Sequence, residues 1–236
     1  MKPIELNGWF SHTGGRKNNE DYAVTCSDQN ASLVVVCDGV GGCEGGREAS
    51  EIVAKCIVES FLGRGTKDPE LVLKEAIFQS LDTIKKAVED EIGHPEMGTT
   101  VVAALLAAPT VTLAHVGDSR AFQFRRRLVK RLTADHLTVI ESLGIPEPLA
   151  KNHPKGHVLS QAIGANHSIN PDINTYPVRR GDRLLLCTDG VSDVLDLNIM
   201  HSLIRRGSAP ECAEQIVRYA IAAGSADNCT AAVAIV

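Results

Sequence analysis

Five short stretches of this 236-residue chain place carboxylates where apolar runs begin or end. VVVCDGVGG ends its run at Asp38–Gly39, LLLCTDG at Asp189–Gly190 and LAHVGDSR at Gly117–Asp118. Asp227–Asn228 directly precedes CTAAVAIV, and Glu20–Asp21 directly precedes YAVTC. Burying an isolated anion is expensive unless a cation or hydrogen-bond donors meet it. In an antiparallel sheet the end of one strand lies beside the start of its neighbour, so acids after some strands and before others converge on one edge. A single Asp–Gly is well explained as a turn. Five acidic clusters on one edge would repel one another without a counter-charge. The donors are all oxygen, with no thiolate and no obligatory imidazole, which suits a hard octahedral cation, Mg²⁺ or Mn²⁺, rather than zinc or copper. The run from Gly39 to Gly46 holds five glycines in eight residues, marking a sharp turn or a close approach to the main chain.

The elements that must position these acids follow from periodicity. Residues 47–62 repeat apolar side chains at helix spacing (Ile52, Val53, Cys56, Ile57, Phe61). Residues 68–92 open on Asp68–Pro69, continue through Leu73, Ile77, Leu81, Ile84 and Val88, and stop at Gly93. Ser208 with Glu211 forms a capping box ahead of a third helix. Residues 31–37, 99–106, 110–116, 183–188 and 229–236 read as strands bounded by turn residues. Strands come in groups and helices as a consecutive pair and then late, which predicts an antiparallel α+β fold rather than a parallel doubly wound sheet. The length and the absence of internal repeats predict one domain over residues 1–236. Residues 137–167, rich in Pro, Gly and His, read as an irregular excursion, a flap.

Composition narrows the classes further. A hydrophobic share of 44%, a charged share of 22% and a net charge of −5 are those of an ordinary globular protein, with no basic surplus to suggest nucleic acid as a partner. The seven cysteines are scattered, odd in number and without a C-x-x-C pair, so neither a disulfide framework nor a zinc site is expected. Cys26, Cys37, Cys56, Cys187 and Cys212 sit in apolar or helical context as small hydrophobes, consistent with a reducing cytoplasmic setting. The N-terminal stretch has no apolar core of signal-peptide length. Residues 97–117 contain no Asp, Glu, Lys or Arg and approach the ~20 residues of a membrane span. Pro109, several threonines and His115 interrupt that run, which reads better as two buried strands and a tight turn.

Three other patterns have plainer readings. Cys212–Arg218 has C-x5-R spacing, but it lies in an apolar helical stretch rather than in a phosphate-cradling loop. His153 and His157 are four apart among Pro, Gly and Lys, as surface residues of the flap. FRRRLVKR, residues 124–131, is a basic hairpin that reads as a solvated turn or as a docking patch for an acidic or phosphorylated partner.

RKNNED, VVVCDGVGG, MGTTVVAAL, VGDSRAF, LTADH, LCTDGVSD and DNCTAAV occur in the order and spacing of the metal-dependent protein phosphatases, the PPM or type-2C family. The resemblance runs from about Gly14 to the C-terminus and is nearest to the bacterial branch. It implies a β-sandwich flanked by helix pairs that hydrolyses phosphoserine and phosphothreonine by attack of a water shared between two Mg²⁺ or Mn²⁺ ions. It implies that Asp38 bridges both ions, with the Gly39 carbonyl on one and Asp189 and Asp227 on the other. Glu20 and Asp21 match positions that hold waters on the ions, and Arg16 matches the residue that binds the substrate phosphate. Asp118 with Asp189 matches the ligands of a third, weaker ion, and residues 137–167 match the flap. The resemblance also implies a phosphorylated protein substrate, opposition to a Ser/Thr kinase, and a monomeric enzyme. Val40 stands where eukaryotic relatives carry a proton-donating histidine, so that role is unassigned; Thr188 replaces a more usual serine. Two other readings are a catalytically weak module that binds phosphoproteins and a hydrolase of small phosphate esters. The complete acid set with Arg16 favours an active phosphatase over the module.

Overall fold

The computed structural model describes residues 6–40, 45–64, 67–150, 152–164 and 169–236. In chain order the elements are β1 (Asn7–His12), β2 (Tyr22–Ser27), β3 (Ser32–Cys37), β4 (Gly39–Val40), α1 (Gly45–Arg64) and α2 (Pro69–Glu89). They continue with β5 (Gly98–Thr99), β6 (Val101–Ala107), β7 (Thr110–Val116), β8 (Arg120–Arg125), β9 (Leu128–Arg131), α3 (Thr138–Glu141), α4 (Glu147–Ala150) and β10 (Ile163–Gly164). The last are β11 (Asp172–Pro177), β12 (Arg183–Cys187), α5 (Asp189–Ser192), α6 (Leu197–Ile204), α7 (Ala209–Ala222) and β13 (Cys229–Ile235).

Two five-stranded sheets, ordered β1-β13-β12-β8-β9 and β11-β7-β6-β3-β2, face each other, and a three-stranded ribbon, β10-β5-β4, stands beside them. Every pairing among these named strands is antiparallel. The reason for continuous apolar runs, rather than alternation, is burial on both faces. In β3, Val34 and Val36 enter the layer between the sheets while Leu33, Val35 and Cys37 pack toward α1 and α2. In β13, Ala232 and Ala234 face the same central layer while Cys229, Ala231 and Val233 face α7. The result is the expected α+β sandwich with helices on both outer faces. The charge-free run 97–117 is β5, β6 and β7, and among the described residues no helix is long and apolar enough to cross a membrane.

The helix signals hold with one adjustment. Asp68 caps α2, accepting the Leu71 N–H at 3.1 Å. The Ser208–Glu211 capping box opens α7, with Ser208 N donating to Glu211 Oε2 at 2.8 Å. However, α2 ends at Glu89, short of Gly93. The Ile92 and Gly93 N–H groups turn back to Ala87 O, and Glu91 takes φ +55, so the chain leaves the helix before the glycine arrives. The hairpin expected at 124–131 is β8–β9, with Arg125 opposite Leu128. The flap is less irregular than expected, since it carries α3, α4 and β10 and has a small apolar cluster centred on Leu137, Val139 and Ala150. Residues 41–44 of the glycine run and flap residues 165–167 lie outside the described residues.

One buried ion network ties the first sheet to the flap. Arg120, only 6% exposed at the start of β8, donates Nε and Nη2 to Asp135 at 3.0 and 2.6 Å. Its Nη1 reaches Ser192 and Asp193, both at 2.8 Å, just beyond Asp189. Asp135 also receives Arg131, and Arg131 pairs with Glu147 in α4. Removing one partner of a buried pair strands the other charge, which typically costs about 3–5 kcal/mol. Asp135→Ala is therefore expected to lose about that much in denaturant unfolding, whereas Glu214→Ala, in the exposed pair with Arg218, loses under ~1 kcal/mol.

Candidate active site

Strand pairing brings the sequence-predicted acids to one end of the sandwich. Tyr22 pairs with Cys37, which sets Asp21 beside Asp38. Cys187 pairs with Ala231, which sets Thr188–Asp189 beside the entry to β13 and so near Asp227. Val101 pairs with Val116, which puts Gly117–Asp118 at the same end of the second sheet.

Asp38 and the loop that carries Glu20 are anchored through their backbone. The Asp38 carbonyl accepts Thr100 N–H at 2.8 Å and the Thr99 hydroxyl at 2.9 Å, while Asp38 N donates to Thr100 Oγ1 at 3.2 Å. Thr100 Oγ1 in turn shares a 2.7 Å hydrogen bond with Ser119, next to Asp118. Asn228 ties the Arg16–Asp21 loop to β13: its Oδ1 accepts Glu20 N–H at 2.9 Å, and its Nδ2 donates to Thr13 O and Asn18 O at 2.8 Å each. The glycine run earns its place by close approach. A Cβ on Gly39 would lie 2.5 Å from the Gly46 carbonyl carbon, because the start of α1 packs directly on β4. The Gly46 position also abuts the Glu20 carboxyl, 3.1 Å from where a Cβ would sit.

The electrostatics are those of crowded carboxylates. Asp21 is 1% exposed; its Oδ2 accepts the Thr188 hydroxyl at 3.0 Å, and its Oδ1 is buried with no hydrogen-bond partner among the described residues. Burial, reinforced by the Asp189 and Asp227 charges, pushes the Asp21 carboxyl up to about 7. Burial and the neighbouring Asp189 and Asp135 charges push Asp118 up to about 8. Asp38 is raised well above the usual carboxylate range, by burial and then by Asp21, Asp189, Asp118 and Asp227. Asp189 is raised by burial and by Asp193 and Asp227, despite a hydrogen bond with the Asp38 carboxyl. Glu20 is raised by burial, with Arg16 opposing. Arg16 lies exposed at the rim, its Nη2 on Asp227 Oδ2 at 2.7 Å, beside a cleft of about 240 Å³ that Asp189, Gly190 and Ser225 also line.

An orphaned buried carboxylate oxygen, an all-oxygen donor set and a shared surplus of negative charge fit a divalent cation. The cysteine and histidine alternatives do not gain support. Cys212 is fully buried in α7 with its thiol raised by that burial, and His153 is occupied by the Lys155 N–H at 3.1 Å.

The sequence pattern of the protein phosphatase 2C family matches residues 10–219. The chain belongs to the protein phosphatase 2C family. It is thus an enzyme of the metal-dependent phosphatase class. The serine/threonine phosphatase stp of Listeria monocytogenes is 31% identical over 224 residues, covering 91% of this chain and 89% of its own. The crystal structure of the Mycobacterium tuberculosis serine/threonine phosphatase PstP/Ppp superposes with a TM-score of 0.86 at 29% identity, covering 98% of this chain and 97% of that one. A structure of the PstP catalytic domain in complex with 2 manganese ions superposes with a TM-score of 0.83 at 28% identity, over 97% of this phosphatase and 96% of that chain.

Several positioning residues of the phosphatase were not singled out from the sequence. Arg120, Asp135, Asn228, Thr99 and Thr100 act through buried or backbone contacts between segments far apart in the chain. His136, at the flap base, accepts Gly117 N–H on Nδ1 at 3.1 Å and meets Asp172 Oδ2 through Nε2 at 3.3 Å, bracing the turn that carries Asp118. His115, 1% exposed with its ring 4.8 Å from that of His136, is held neutral by burial, which lowers it to about 3.

The raised carboxyls dictate a pH dependence. Asp21 and Asp118 keep protons in the folded, cation-free protein that the unfolded chain loses near pH 4. Their contribution to stability is complete below the unfolded pKa and is lost as pH climbs through about 7 and 8. Chelator-treated protein should therefore show a falling melting temperature between pH 5 and pH 8.5, roughly spanning these transitions, and Mn²⁺ should restore most of the loss at the upper end.

Proposed function

We infer that residues 1–236 form one catalytic domain that hydrolyses phosphoserine and phosphothreonine in proteins. The supporting observation is the meeting, at one end of the sandwich, of Asp38, Asp189, Asp227, Asp21, Asp118 and Glu20, with the exposed guanidinium of Arg16 at the rim. In this reading Asp38, the Gly39 carbonyl, Asp189 and Asp227 would hold two Mn²⁺ or Mg²⁺ ions, and Asp118 with Asp189 would hold a third. When bound, such ions lower the pKa of a water between them and neutralise phosphoryl oxygens.

The chain supplies the rest. Glu20 and Asp21 would hold water beside the ions, and the buried Oδ1 of Asp21 has no hydrogen-bond partner among the described residues. Arg16 offers a planar fork to the phosphate and exchanges Asp227 for it as substrate enters the cleft. Val40, paired with Gly98 in the ribbon, has no proton to give, so the leaving alkoxide takes its proton from water. The physiological setting of this reading is a monomer in a reducing cytoplasm, opposing a Ser/Thr kinase. The six described cysteines are all free, which suits that compartment.

The completeness of the acid set supports activity over a binding-only module. Phosphate release from a phosphothreonine peptide should require added Mn²⁺ or Mg²⁺ after chelation. It should fall at least ~100-fold in Asp38→Asn, the scale on which lost charge stabilisation shows in kcat. Arg16→Ala should chiefly raise KM. Folded protein that releases no phosphate with either metal would overturn the reading in favour of the binding module, and turnover of small esters alone would move it to a small-molecule hydrolase.

A further inference from the structure

The end of the sandwich opposite the acids is basic. β8 runs from Arg120, paired with Cys187 beside Asp189, to Arg125. Six residues at about 3.3 Å each carry the chain roughly 20 Å from the acidic edge. There Arg126 and Arg127 at the β8–β9 tip, Arg183 at the start of β12 and Arg205 after α6 line a pocket of about 290 Å³ with His201 and Phe124. Arg125 is spoken for, paired with the buried Asp182. Among the described residues none of the four pocket arginines pairs with a carboxylate, in a chain whose net charge is −5.

The pocket is braced from inside. His201 Nε2 donates to Arg126 O at 2.7 Å, fixing the hairpin tip to α6, and its ring stacks on Phe124 at 6.3 Å. Arg183 Nη1 rests on Cys212 Sγ at 3.2 Å. Arg126 has φ +55, a conformation that favours glycine or asparagine in a two-residue hairpin turn, so a charged side chain sits where backbone preference alone would choose otherwise.

We propose that this arginine pocket is a second, non-hydrolytic site that receives a phosphorylated side chain of the protein partner whose other phosphosite occupies the acidic edge. The forked guanidiniums match phosphate oxygens. A concave pocket for one group, whose Phe124 ring is buried and stacked against His201, does not suit a nucleic-acid strand, which needs a basic track with exposed stacking faces. The choice of a phosphoprotein rests on the phosphatase reading above. The separation of roughly 20 Å, about six extended residues, lets one multiply phosphorylated segment reach both ends.

The test uses chelator-treated full-length protein, in which the acidic edge repels phosphate, and a fluorescent phosphothreonine peptide followed by anisotropy. Wild type should bind it at least tenfold more tightly than Arg126→Ser/Arg127→Ser/Arg205→Ser, and more tightly than it binds the unphosphorylated peptide. With Mn²⁺, both proteins should hydrolyse p-nitrophenyl phosphate equally, while the variant shows a higher KM and unchanged kcat on a doubly phosphorylated peptide. Equal peptide binding by the two proteins, or equal binding of the unphosphorylated peptide, overturns the proposal. Displacement by inorganic phosphate as effective as by the peptide itself also overturns it, by reassigning the pocket to small phosphate metabolites. Loss of p-nitrophenyl phosphate hydrolysis in wild type would instead fault the phosphatase reading, and is scored separately from the peptide binding.

Discussion

Repulsion among carboxylates is the interaction on which the arrangement of this molecule turns. The central strands are apolar on both faces, one toward the opposing sheet and one toward a helix layer, so they have no room for charge along their length. Charge is confined to strand ends. Antiparallel pairing then gathers Asp21, Asp38, Asp118, Asp189 and Asp227 at a single end. Arg16 at the rim pairs with Asp227, and the carboxyl pKa values at this end are raised. A fold that neutralised these acids internally would have no use for cations; this one leaves the deficit open, and phosphoryl chemistry can exploit it.

Holding like charges together requires a rigid frame, and the frame is mostly polar and mostly indirect. Asp38 is gripped through its backbone by Thr99 and Thr100, and the Arg16–Asp21 loop is gripped by Asn228. Arg120 and Asp135 form the buried junction between Asp193, three residues past Gly190, and the flap. The Gly39–Gly46 contact presses the start of α1 against the strand that follows Asp38. Small side chains and glycines near the acids thus serve close packing of backbones, which sets Asp21 beside Asp38 and Asp189 near Asp227.

The acids and the central strands were legible in the sequence because both follow from local rules: apolar runs of strand length, and an aspartate that interrupts them. The helix pair and the capping box at Ser208 were legible for the same reason. β1 and β11 were not, since both are edge strands with partly exposed side chains and no clean alternation. α6 was passed over although Asp196 caps it, accepting Asn198 and Ile199 N–H at 2.8 and 2.9 Å; at eight residues its periodicity is too short to stand out. Nothing in VGDSRAF marks Arg120 as buried; only tertiary structure sets it against Asp135. Residues that act through distant partners leave no periodic trace.

Cation binding at the acidic edge is tested most directly by titrating Mn²⁺ into chelator-treated protein at pH 7 in calorimetric buffers of different ionisation enthalpy. At least two ions should bind with net release of protons, because carboxyls such as Asp21 and Asp118 must give up theirs on cation binding. Both the binding and the proton release should shrink in Asp38→Asn. Binding without proton release, or binding that Asp38→Asn leaves intact, would contradict it.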